Sequence, residues 1–114
     1  MKVRLMEFTN IENSNKLLEI QNLSDNWNGY QAKGFSDCLI NKVRSIVLLL
    51  DHQPKLFPTG RDSIQLEYEK ENGDYLEFEV FSNKVIMLKL IGSDEAEKEI
   101  DETQIPQIVD EFYG

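Results

Sequence analysis

The pattern of apolar residues divides this chain into a helical half and a strand half. Near-helical spacing of apolar residues from Ile11 to Leu23 predicts a first helix over about residues 10 to 23. The same spacing recurs more regularly from Leu39 to Leu50, where Ser36 can cap the start and Pro54 can end the helix. This second pattern predicts a helix that buries one face in a core.

From Ile64 onward the period of the apolar pattern changes from that of a helix to two residues. Three alternating runs occupy residues 64–69, 76–80 and 85–90 and are separated by turn-forming residues. Later apolar residues at helical spacing, together with Thr103 as a possible cap, predict a last short helix: Ile105, Ile108, Val109 and Phe112. The acidic segment Ser93 to Glu102 between them has only weak structural signals.

The loop lengths between these runs set the register of the predicted strands. A three-residue loop, Glu71 to Gly73, pairs Tyr68 with Leu76 and keeps the apolar faces together, with Gly73 in a left-handed conformation. A two-residue loop would mix apolar with acidic side chains. The same reasoning applied to Ser82, Asn83 and Lys84 pairs Phe78 with Leu88.

The predicted fold class is therefore α+β. Two N-terminal helices pack on a three- or four-stranded antiparallel meander, and a short C-terminal helix follows. The length of 114 residues fits a single domain, residues 1–114, with one modest core.

The net charge of the chain argues against some classes of binding partner. With 12 basic and 21 acidic residues the net charge is -9, which repels nucleic-acid phosphate and anionic lipid. The opening segment Met1–Phe8 carries positive charge without a following apolar run, so it predicts no secretory signal, and no stretch reaches transmembrane length. Its one cysteine, Cys38, agrees with a reducing compartment, so we expect a cytoplasmic protein.

No residue pattern predicts an enzyme, a cofactor site or a metal site. Cys38 and the only histidine, His52, lie at opposite ends of the predicted second helix, about 20 Å apart at the helical rise. A calcium loop centred on Gly29 would place Phe35 where a bidentate glutamate is required. Cys38 is interpreted as a small packing residue and His52 as a partner of the helix dipole.

Two groups of residues are candidates for binding a partner. Trp27 and Tyr30 lie in a turn between the predicted helices, where they either plug the joint with the sheet or form an exposed hot spot. The predicted register also brings four carboxylates onto one strand face: Glu67, Glu69, Glu77 and Glu79. This face is either simply solvated or a surface that docks a basic protein.

The turn Asp25-Asn26-Trp27-Asn28-Gly29-Tyr30, the flanking helices and the following strands resemble a widespread group of small bacterial and phage-borne proteins. The resemblance covers about residues 15 to 90. Tyr68 stands where that pattern often has tryptophan, and Gln31 where it often has glycine. The group has no established biochemical activity, and some relatives lie near toxin-type or mobile-element genes. The resemblance implies an intracellular bacterial protein.

These observations favour a non-enzymatic protein-interaction module, an antitoxin-like or immunity-like partner of a basic protein. The alternative is a small-ligand-binding or enzyme-accessory domain with a pocket near Trp27 and Tyr30. A homo-oligomer is compatible with either.

Overall fold

The computed structural model describes the backbone of residues 2–114 and the side chains of residues 11–114. The side chains of the opening segment, for which no secretory signal is predicted, lie outside the described residues. Three α-helices and five strands follow one another along the chain: α1 (Lys2–Gln21), α2 (Asp37–Leu48), β1 (Lys55–Pro58), β2 (Ile64–Glu69), β3 (Tyr75–Val80), β4 (Val85–Ile91), β5 (Asp94–Ile100) and α3 (Ile105–Tyr113).

The strands form one antiparallel sheet in the order β1-β2-β3-β4-β5, so each strand pairs with its neighbour in sequence. The predicted α+β class is confirmed, but the sheet has five strands rather than three or four. The additional strands are β1, which lies in the segment predicted as a connector, and β5, which lies in the acidic segment that had only weak signals.

The register of the first predicted hairpin is confirmed. Tyr68 lies opposite Leu76, and Gly73 has a φ of 93°, which is the left-handed conformation that a three-residue bulged loop requires. Glycine reaches this region without the steric cost that a Cβ atom brings.

The register predicted for the second hairpin is wrong by one residue. Phe78 pairs with Met87 and not with Leu88, because Phe81 N donates a hydrogen bond to Lys84 O at 2.9 Å and leaves a two-residue loop. The alternation in β4 could not reveal the error, since both sets of alternating residues in β4 are largely apolar. The observed pairing turns Val85 and Met87 toward the core.

All the buried apolar side chains of the described helices join one core on one face of the sheet. We call the opposite side of the sheet the outer face. Because side chains alternate along each strand, the register assigns these residues to it: Lys55, Phe57, Gln65, Glu67, Glu69, Tyr75, Glu77, Glu79, Ile86, Leu88, Leu90, Glu95, Glu97 and Glu99.

Side-chain hydrogen bonds define both ends of α2 and connect α1 to the segment between α2 and β1. Ser36 Oγ accepts a hydrogen bond from Leu39 N at 3.2 Å and caps α2 as predicted. The helix ends at Leu48, well before Pro54, and Gln53 Nε2 donates to Val47 O at 2.9 Å and to Leu50 O at 2.7 Å. The buried Asn13 side chain of α1 donates to Gln53 Oε1 at 2.8 Å, which ties the first helix to the same joint.

Candidate functional site

The four predicted glutamates share the outer face, but Glu79 is not available to a partner. Only 8 % of Glu79 is exposed. Its carboxylate accepts a hydrogen bond from Arg61 Nη2 at 2.9 Å and another from Ser63 Oγ at 2.5 Å. A buried carboxylate needs such partners, because an unpaired buried charge is strongly unfavourable. Glu79 is therefore a buried carboxylate whose charge is paired with Arg61, and its role is structural.

Glu67 and Glu77 lie directly opposite each other, and the Tyr75 hydroxyl lies between them. This hydroxyl is within hydrogen-bond distance of Glu67 Oε1 and lies 2.6 Å from Glu77 Oε1. It carries one proton, so it donates to one carboxylate at a time. Burial and the hydrogen bonds to the two glutamates raise the pKa of Tyr75 above its usual value. Of the four predicted glutamates, Glu69 alone is exposed, whereas Glu67 and Glu77 are half-buried.

A second set of acidic residues lies on β5 and was missed by sequence reasoning. Glu95, Glu97 and Glu99 lie opposite Leu90, Leu88 and Ile86 of β4 and are exposed. We call these three residues the β5 glutamates. They form no ion pair with any residue in the described part of the chain. Their spacing of two along an acidic run was the available signal, but it has meaning only once β5 is known to be a strand.

Between these acidic strands, β4 presents apolar side chains to solvent. Ile86, Leu88 and Leu90 are only half-buried, and we call them the apolar column. Neighbouring strands are about 4.8 Å apart, so about 10 Å separates the acidic residues of β3 from the β5 glutamates. At about 3.3 Å per residue, the column is about 13 Å long. The outer face thus combines an apolar centre with acidic borders.

The two aromatic candidates of the turn, Trp27 and Tyr30, differ in how far they are buried. Trp27 is half-buried, packs on Phe35 with ring centroids 5.9 Å apart, and donates from Nε1 to Lys33 O at 3.1 Å. Tyr30 is 87 % exposed, so it does not plug the joint. The side chains of Asn26 and Asn28 satisfy the backbone of this turn, since their Oδ1 atoms accept from Gln31 N and Tyr30 N at 2.8 Å.

Four surface cavities of about 230 to 340 Å³ are lined by described residues, and neither Trp27 nor Tyr30 lines any of these four. One, of about 290 Å³, opens where β1 and β2 meet the end of α3 and includes Lys55, Glu67 and Tyr75. This cavity brings an ammonium group, a carboxylate and a tyrosine hydroxyl together around one space.

Cys38 and His52 are the other two residues that the sequence analysis considered for chemistry. Cys38 is exposed rather than packed in the core. The ring of His52 stacks on Tyr113 with centroids 4.1 Å apart. Among residues 11–114, no three His, Cys, Asp or Glu side chains cluster closely enough to hold a metal ion.

None of the helices in the described part of the chain is both long enough and apolar enough to cross a membrane. Comparisons with protein-family models, curated proteins and solved structures found no match to this chain. The resemblance carried by the aromatic turn therefore stays a prediction, and the arrangement of side chains on the outer face is the basis for a functional conclusion.

Proposed function

We propose that this protein is a non-enzymatic interaction module that binds a basic protein through its outer face, in the manner of a cytoplasmic antitoxin or immunity protein. One observation carries the proposal. The register of β4 and β5 aligns the apolar column with the β5 glutamates, so that a solvent-accessible apolar surface lies beside a row of exposed carboxylates that form no ion pair with a described residue.

The apolar column supports the idea of a partner. Half-buried leucine and isoleucine side chains gain further stabilisation when a second surface removes them from water. Interfaces of this kind place apolar contacts at the centre and polar groups at the rim.

The acidic border supports a basic partner. Exposed charges at a rim mainly steer association and reject partners of like charge. The net charge of -9 acts in the same direction over longer distances.

The non-enzymatic part of the proposal is supported by how the other acidic groups are engaged. The Tyr75 hydroxyl donates to either Glu67 or Glu77, and Arg61 forms an ion pair with Glu79. A general acid or base must instead reach the proton that it transfers.

A recovered partner provides the test. Affinity capture from cells that carry the gene would supply it, and association rates would then be measured at low and at physiological salt. Replacing the β5 glutamates by glutamine should slow association and weaken its salt dependence. A matched control removes the same charge elsewhere through Glu12→Gln, Glu71→Gln and Asp110→Asn, all exposed residues. Equal rates for the two triple variants would refute binding through the outer face.

A small-ligand function is a second candidate because of the cavity beside Lys55. There an ammonium group, a carboxylate and a tyrosine hydroxyl line a space of about 290 Å³. A compound library would be screened by thermal shift. This candidate requires a hit whose stabilisation is lost in Lys55→Ala but kept in Lys16→Ala, where an equivalent charge is removed from α1.

A further inference from the structure

We infer that the partner segment bound by the outer face is an amphipathic α-helix, whose apolar stripe lies on the apolar column and whose lysine or arginine residues contact the β5 glutamates. The inference rests on the proposed function, and it specifies the secondary structure, the position and the charge pattern of the partner.

The dimensions of the outer face accommodate a helix. The distance of about 10 Å from β3 to β5 is close to the diameter of a helix with its side chains, about 10–12 Å. Along the column, the alternate residues Ile86, Leu88 and Leu90 are spaced by about 6.6 Å. Helix positions i, i+4 and i+8 are spaced by about 6 Å, so three apolar residues of one helix stripe match the column.

The charges of the two borders are unequal, which orients the partner. On the β3 border Glu79 is paired with Arg61, and Glu77 lies 2.6 Å from the Tyr75 hydroxyl, which it shares with Glu67. On the β5 border the three glutamates are exposed and their carboxylates form no ion pair with a described residue. We therefore place the basic residues of the helix on the flank that lies over β5.

Two other occupants fit less well. A strand added to the free edge of β5 would extend the sheet sideways and would leave the apolar column uncovered. A second copy of the chain, paired through β5 as one continuous sheet by a twofold axis, would place outer-face glutamates opposite one another. Like charges directly across a strand pair are destabilising.

Three synthetic peptides of about 20 residues, long enough to form a helix, test the inference. They share one composition of leucine, lysine, alanine and glutamine. The first has leucine at helical spacing with lysine on one flank, the second alternates leucine and lysine as in a strand, and the third has a scrambled order. Binding to the full chain would be measured by titration calorimetry. Amide chemical shifts of uniformly labelled protein would locate the contact.

We expect the helical peptide to bind more tightly than the other two and to shift amides of Val85–Ile91 and Asp94–Ile100. The triple glutamine variant of the β5 glutamates should weaken this binding by about tenfold, as for several exposed ion pairs lost together. Leu88→Ser should weaken it as well. The control triple at Glu12, Glu71 and Asp110 should retain the wild-type affinity.

The failures can be told apart. Equal or tighter binding of the alternating peptide, still dependent on the β5 glutamates, would overturn the helical partner and leave the proposed function standing. Equal losses in both triple variants, or no charge-dependent binding by any peptide, would overturn both.

Discussion

Met87→Ala should destabilise the fold much more than Leu88→Ala, although the two residues are neighbours in β4. Met87 faces the core and is only 5 % exposed, whereas Leu88 belongs to the half-buried apolar column on the outer face. Deleting a fully buried methionine side chain to alanine typically costs about 2–5 kcal/mol, since a cavity is left behind. Leu88→Ala removes partly solvated atoms and leaves no enclosed cavity, so we expect a cost of about 1 kcal/mol.

Urea unfolding followed by tryptophan fluorescence measures the difference. The single tryptophan, Trp27, packs against the core, so its emission changes when tertiary structure is lost. The midpoint for Met87→Ala should fall well below that for Leu88→Ala, with similar slopes for the two variants.

The opposite order would refute the argument. A larger loss for Leu88→Ala would mean that Leu88 faces the core, as it does in the register predicted from the sequence. The outer face would then lack its apolar column, and the helical partner would lose its main support.

Three further predictions concern the turns and the tyrosine network. Gly73→Ala should cost about 1 kcal/mol in chemical unfolding, because residue 73 has a φ of 93°, and Gly73→Asn should cost less since asparagine tolerates this conformation. Trp27→Ala should destabilise by about 2–3 kcal/mol, less than a fully buried tryptophan, whereas Tyr30→Ala should change the circular-dichroism melting curve little; equal effects would contradict the assignment of Trp27 as the plug. Folding raises the pKa of Tyr75 and so favours its neutral form. The stability that this provides is present below the unfolded pKa of about 10 and is lost as the pH rises above that value. The free energy of unfolding, measured from neutral to alkaline pH, should therefore fall less steeply for Tyr75→Phe than for wild type.

Sequence reasoning succeeded where a local rule left one solution. The loop before Gly73 is an example, since a shorter loop would have placed Tyr68 against an acidic residue, and the observed register keeps Tyr68 opposite Leu76. The cap at Ser36 is another, because a hydroxyl at this position meets an otherwise unpaired backbone amide.

The predictions failed where the residue pattern did not distinguish between two strand registers, or where the composition of a segment argued against a strand. In β4 both faces are apolar, so hydrophobic patterning could not choose between Met87 and Leu88, and the loop geometry decided. Strand β5 is almost entirely charged and exposed, and it forms because the tight turn at Gly92, with a φ of 60°, returns the chain alongside β4. Propensity alone does not predict such a strand.

The candidate site was predicted in character but not in position. An acidic sheet face follows from alternating glutamates, yet the exposure of each carboxylate depends on distant neighbours such as Arg61, which is 18 residues from Glu79. The exposed carboxylates of the site belong mainly to the strand that the pattern did not reveal. The sequence left open whether Tyr30 is a plug or an exposed residue, and its exposure follows from hydrogen bonds within the turn, where Asn26 and Asn28 accept from backbone amides.

The separation of the two sheet faces has a consequence for how such a protein can diverge. Exposed positions on β5 make no contribution to the core, and substitutions at such positions usually change stability by less than about 0.5 kcal/mol. During evolution Glu95, Glu97 and Glu99 could therefore be substituted one at a time, in step with changes in a partner, and every variant along the way would still fold. Recognition would evolve on one side of the sheet while selection for folding acts on the other.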